Sequence, residues 1–173
     1  MEDIEIRRVK KEDLWQVSTI LVESWKTAYR GIIDTEYLEN LKIEDKYKKR
    51  LKDYDKTGFI VAVLKEEIVG LCRYKSENVS VKEDKDIDCE LLALYVKPSL
   101  KGHGIGQKLM KYVFQDQIRN KKQKMILWCF KENYSSRRFY EKMGGTLYAE
   151  SEVEVEGKKY PKVSYIYDLE QIQ

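Results

Sequence analysis

The stretch Val96-Lys-Pro-Ser-Leu-Lys-Gly-His-Gly-Ile-Gly-Gln-Lys-Leu-Met110 joins an apolar strand to an amphipathic helix through glycines at alternate positions. Pro98 helps to end the strand, because it lacks the N–H that a sheet ladder uses. Gly102, Gly104 and Gly106 free the backbone for positive φ and for close approach to a ligand. The helix that follows aims its positive end at the same point, so the junction reads as a cradle for a phosphate-bearing anion. Spacing excludes two familiar phosphate loops. A dinucleotide fingerprint needs a third glycine where this chain has Gln107, and the Gly-Lys-Ser/Thr of nucleotide triphosphatases occurs nowhere.

Outward from this junction, Ile87 to Val96 is apolar on both faces after Glu90, as a central strand covered by helices should be. The helix from Gly104 to Asn120 carries Ile105, Leu109, Tyr112 and Val113 on one face, and Met125 to Phe130 is a second buried strand. Ile4 to Val9 alternates as a first strand, and Leu14, Val17, Leu21, Trp25 and Ala28 recur at helical spacing between Lys11 and Tyr29. A Lys-rich helix is expected over 35–53 after Gly31. Phe59 to Leu64 and Ile68 to Tyr74 read as a hairpin, followed by a charged loop from Ser76 to Asp86. Near the end, Thr146 to Val155 and Tyr160 to Leu169 flank the turn Glu156-Gly157-Lys158. No repeat, linker or low-complexity tract interrupts the 173 residues, which suit one domain spanning 1–173.

Composition narrows the setting. With 36% charged and 42% hydrophobic residues and no apolar run near membrane-spanning length, no membrane association is expected. The N-terminus has neither the basic start nor the apolar core of a signal peptide, so a cytoplasmic location is expected. Cys72, Cys89 and Cys129 sit within apolar strands, and their odd count argues for free thiols rather than disulfides or a metal site. A net charge of +3 gives little reason to expect nucleic acid as a partner. The charge is nonetheless uneven: residues 101–142 are strongly basic, whereas residues 66–90 are acidic. Solvated faces explain such runs, and so does a division between an anionic cofactor and a cationic amine.

Lys101-Gly-His-Gly-Ile-Gly106, with the strand before it and the helix after it, resembles the coenzyme A site of the GNAT N-acetyltransferase superfamily, whose pattern is Arg/Gln-x-x-Gly-x-Gly/Ala. Lys101 departs from the first position and supplies a point charge where arginine grips phosphate bidentately. Downstream, Asn133-Tyr-Ser-Ser-Arg-Arg-Phe-Tyr140-Glu-Lys-Met-Gly144 resembles the family's Asn-x-x-Ala-x-x-Phe-Tyr-x-x-x-Gly-Phe, with Gly145 in place of the final phenylalanine. The resemblance implies a mixed α/β sheet of about seven strands, mostly antiparallel with strands four and five as a central parallel pair, and about four helices. It also implies acetyl-CoA as cosubstrate, with no metal. Leu94, Tyr95 and Val96 would pair with the pantetheine arm, Lys101, Gly102, His103, Gly104, Ile105, Gly106 and Gln107 would hold the pyrophosphate, and Asn133 would bond the cofactor's amide region. Asn133 is also an ordinary helix N-cap. His103, the only histidine, stands between cradle glycines rather than at the thioester end.

Acetyl transfer needs a neutral amine, and an alkyl ammonium with a pKa near 10.4 is almost wholly protonated at neutral pH. Glu90, an acid entering an apolar strand near the expected thioester, is the candidate to accept that proton, with a strand-end charge reaching solvent as its other reading. Some family members draw this acid from strand five, where this chain has Trp128. Tyr140 matches the family's general acid and would protonate the departing thiolate. Acceptor pockets of the family are built by the first helices and the last hairpin, which here contribute Trp25, Tyr29 and Tyr165 beside Tyr37 and Tyr160. These aromatics suit a polyamine or other cationic amine through cation–π attraction, and equally suit plain packing. A peptide amine stays open as acceptor, as does a homodimer through the tyrosine-rich final strands. Two functions stand at this level: an N-acetyltransferase working by direct attack in a ternary complex, and a non-catalytic acyl-CoA-binding module.

Overall fold

In the computed structural model, which describes residues 3–172, the alternating and continuous apolar runs become the strands of one sheet. These are β1 (Glu5–Arg8), β2 (Gly58–Leu64), β3 (Glu67–Lys75), β4 (Cys89–Val96), β5 (Lys124–Phe130), β6 (Thr146–Val155) and β7 (Lys158–Asp168). Their order is β1-β2-β3-β4-β5-β7-β6, with β4 and β5 parallel and the other neighbours antiparallel. The mixed sheet with a central parallel pair is thus the one the family resemblance implied.

Five helices accompany the sheet among the described residues: α1 (Leu14–Ala28), α2 (Thr35–Glu39), α3 (Ile43–Asp53), α4 (Ile105–Arg119) and α5 (Tyr134–Lys142). On one face, Val17, Ile20 and Leu21 of α1 pack on Phe59, Val61 and Leu71 of β2 and β3. On the other, Ile105, Leu109, Met110, Val113 and Phe114 of α4 join Cys72, Leu91, Met125, Leu127 and Tyr167 in the main core. Each such side chain contributes about 1.5–3 kcal/mol when fully withdrawn from water.

The single helix expected over 35–53 is two. Asn40 closes α2, its N–H bonded to Glu36 O, and Lys42 is extended at φ −116° and ψ 136°. The break lets α3 run against α1, while Leu38 and Leu41 cover a separate cluster around Tyr29 and Ile33. Strand β4 begins at Cys89 rather than Ile87, because the Asp88 carboxylate turns aside to accept the N–H groups of Gln123 and Lys124 at 3.0–3.1 Å.

The feature that positions the site is a parting of the central pair. β4 and β5 pair only at Cys89 with Met125, Glu90 with Ile126 and Leu91 with Leu127. The β4 register against β3 then shifts, with Tyr74 opposite Leu91 and Arg73 opposite Ala93, which leaves Leu92 as a bulge. Bulges bend a strand and increase its twist. Beyond this point β4 keeps β3 on one edge and leaves its other edge open.

Candidate active site

The wedge between the two strands widens into a cleft of about 640 Å³, a size usual for small-molecule sites. Leu94, Tyr95 and Val96 line it, and their ladder partners in β3 leave the edge facing β5 free. Lys101, Gly102, Gly104, Gly106 and Gln107 form one end. Gly102 and Gly104 have φ of 83° and 81°, and a Cβ at either would meet nothing within 4 Å, so the space over this loop is open. Gly104 is the N-cap of α4, whose first-turn N–H groups have no helical acceptor. Together with the ammonium groups of Lys101 and Lys142, which both line the cleft, these donors fit an anionic ligand.

Gly106 lines the cleft as well, but the positive φ expected of it is absent. It lies inside α4, and a Cβ there would come within 3.4 Å of the Phe139 ring. The missing side chain leaves room for the Phe139 ring of α5. Ile105 turns into the core at 1% exposure, and His103 is exposed without lining the cleft.

Helix α5 supplies the facing wall. Asn133 accepts the Ser136 N–H at 3.3 Å, so it is the helix N-cap, and it also lines the cleft. Tyr140 is 7% exposed and lines the cleft, and its carbonyl oxygen accepts the Tyr167 hydroxyl at 2.7 Å and the Gly145 N–H at 3.0 Å. Among the described residues none pairs with its phenol, and burial pushes that phenol well above its ordinary pKa. Gly145 is explained by Tyr167: a Cβ there would lie 2.9 Å from Tyr167 Cζ, so the aromatic ring comes from β7 instead. Cys129 lines the cleft as well, with its thiol pushed by burial to about 11.

The remaining walls are aromatic. Trp25 donates to the Tyr95 hydroxyl at 3.1 Å, Tyr29 shares a hydrogen bond with the same hydroxyl, and the Tyr29 and Phe130 rings meet edge to face at 4.8 Å. Trp25 and Tyr29 line the cleft as expected. Tyr165 does not: it is fully buried among the α4 and α5 side chains, where its hydroxyl accepts from Arg137 Nε and donates to Glu141.

Glu90 is 6% exposed and lies just behind the cleft rather than in its lining. Its Oε1 accepts both the N–H and the hydroxyl of Ser80, and the same hydroxyl accepts Trp128 Nε1–H at 3.0 Å. Trp128 lines the cleft, so a continuous polar chain runs from the lining to the buried carboxylate. Lys162 Nζ stands 4.3 Å from the centre of the Trp128 ring and also lines the cleft. Sequence reasoning missed Lys162, although it lies two residues from Tyr160 and so on the same strand face. It missed Ser80 because an aperiodic charged loop carries no register. Among the described residues, no group of three or more His, Cys, Asp or Glu side chains could hold a metal ion, and no helix is long and apolar enough to cross a membrane.

Sheet, cleft and α5 together define a mixed α/β protein with an open site for an extended anionic ligand, and comparison identifies its family. A family model described as the acetyltransferase (GNAT) family matches residues 19–145. The chain belongs to that family of acetyltransferases. Similar proteins include an uncharacterized N-acetyltransferase of Archaeoglobus fulgidus, 35% identical over 137 residues that cover 79% of this chain and 89% of the relative. A spermidine N(1)-acetyltransferase of Thermoplasma acidophilum is 30% identical over 151 residues, covering 82% and 87% of the two chains. Among solved structures, the PaiA N-acetyltransferase of Thermoplasma acidophilum in complex with coenzyme A superposes with a TM-score of 0.74 at 25% identity, over 96% of this chain and all of the other.

Proposed function

We propose that this chain transfers the acetyl group of acetyl-CoA to a primary amine, small-molecule or peptidic, by direct attack of the amine on the thioester within a ternary complex. Family membership and the coenzyme A complex of a structural relative support the cosubstrate. The observation that carries the reading is the wedge between β4 and β5, with a free strand edge on one side and the unpaired Tyr140 phenol on the other. When bound, acetyl-CoA supplies an activated acyl group and a thiolate leaving group.

Each step falls to a group of this chain. The α4 N-terminus and Gly102 to Gln107 offer N–H donors fixed before the ligand arrives, which lowers the cost of ordering. The free edge of Leu94 to Val96 aligns an extended arm by strand-like pairing. Glu90 takes the proton lost by the attacking amine, and its distance from the lining makes this a water-relayed transfer. Tyr140 gives its phenolic proton to the thiolate as the carbon–sulfur bond breaks, and solvent restores it. Burial keeps that phenol protonated at neutral pH, and the same desolvation raises the proton affinity of the thiolate beside it. A covalent route through Cys129 is disfavoured, because a thiol held at about 11 carries almost no thiolate at neutral pH.

The test is coenzyme A thiol release with an amine panel. Wild type should turn over, while Tyr140→Phe, which removes one oxygen, should lower kcat at least tenfold and leave acetyl-CoA binding in place. Cofactor binding without release for any amine would reduce the chain to a binding module.

A further inference from the structure

Resting on that transferase reading, the charges around the cleft say what kind of amine it takes. No Asp or Glu is among the residues that line it, and the carboxylate nearest the acceptor end, Glu90, is buried and engaged by Ser80. The cations are the reverse. Lys101 and Lys142 sit with the cradle, on the α4 and α5 side, whereas Lys162 stands apart from them on β7, opposite Phe130 of β5 and Ser151 of β6. Among the described residues no carboxylate lies within ion-pair distance of Lys162, and its ammonium rests on the Trp128 ring.

A cage for a cationic acceptor would need aromatic faces and carboxylates to receive ammonium groups. Here the Trp128 face is already covered by the chain's own cleft-lining lysine, with Lys162 Nζ 4.3 Å from the ring centre, and Lys46, outside the lining, adds positive charge behind Trp25 with its Nζ 4.6 Å from that ring. A second ammonium brought to these walls meets like charge in a partly desolvated space, where Coulomb terms are several times larger than in water. A carboxylate meets the opposite, a half-buried cation whose one electrostatic partner, the Glu90 carboxylate, lies beyond ion-pair distance and is taken up by Ser80.

We propose that the acceptor is an amine carrying a carboxylate close to the nitrogen, an amino acid or a related amino carboxylate, and that Lys162 is the residue that selects it. The carboxylate replaces the water around the Lys162 ammonium and turns the amine toward the wedge. Polyamines and the amino termini of peptides lack that group and gain nothing at Lys162.

The experiment compares L-amino acids with their methyl esters, and with spermidine, by thiol release from acetyl-CoA. It is repeated as calorimetric binding of the same compounds to the enzyme saturated with coenzyme A. Free amino acids should show kcat/KM and affinity at least tenfold above their esters, and spermidine should fall below both. Lys162→Met, which keeps the stem on Trp128, should bring the acid-to-ester ratio near one, and Lys162→Arg should restore it. Preference for esters or spermidine, or an unchanged ratio in Lys162→Met, overturns the proposal even if turnover is brisk. Lys162-dependent binding without any turnover upholds it and sinks the transferase reading instead.

Discussion

Tyr140 is held by its own backbone: its carbonyl oxygen takes two hydrogen bonds, from Tyr167 and from Gly145, which leaves the phenol free to face the cleft. The arrangement depends on the missing side chain at Gly145. Gly145→Ala would set a methyl 2.9 Å from the Tyr167 ring and 3.0 Å from the Tyr140 carbonyl oxygen. Overpacking of this kind costs about 1–3 kcal/mol. The variant should show a lower urea midpoint at unchanged slope, together with a reduced kcat, and an unaltered midpoint would mean the ring yields without strain. Tyr140, Asn133 and the cradle glycines were legible in the sequence because each belongs to a short, spaced pattern. Ser80 and Lys162 were not, since their meaning arises only where a loop and a distant strand meet over Trp128.

Two left-handed glycines open the cleft-facing end of helix α4, and on the proposed function this is where an element rather than a residue would set affinity. Gly104→Ala forces an L side chain to φ near 81°, which costs about 1–2 kcal/mol, and puts a methyl into the open space above the loop. Coenzyme A affinity measured by calorimetry should fall at least tenfold. An affinity within twofold of wild type would place the pyrophosphate elsewhere. Strand and helix identities followed from periodicity, and the ends were shifted by side chains that bond locally, as Asp88 does at the start of β4. The division of α2 from α3 escaped periodicity because Leu38 and Leu41 would share a face in a continuous helix too. The Leu92 bulge escaped it because register is a property of two strands.

At the scale of the whole molecule, proton affinities of the buried groups predict an alkaline limit. Burial pushes the Cys89 thiol to about 12 and Cys129 to about 11, and it raises Cys72 and the phenols of Tyr74, Tyr140 and Tyr167. In the unfolded chain these groups return to about 8.5 for cysteine and about 10 for tyrosine. Above those values the unfolded state sheds protons that the folded state keeps, so stability falls as pH rises. The urea midpoint should be level from neutral pH to about pH 8 and then decline steadily toward pH 11. A midpoint that stayed level through pH 10.5 would contradict the burial of these groups.

The parting of β4 from β5 leaves the sheet as two panels, β1 to β4 and β5 to β7, whose strands pair at only three residue positions and are otherwise joined through the core under α4. On the proposed function, an extended ligand laid along the free edge of β4 would act, in effect, as a temporary strand. Resistance to heat and to proteases therefore tracks ligand concentration, and the fold doubles as a gauge of its own supply.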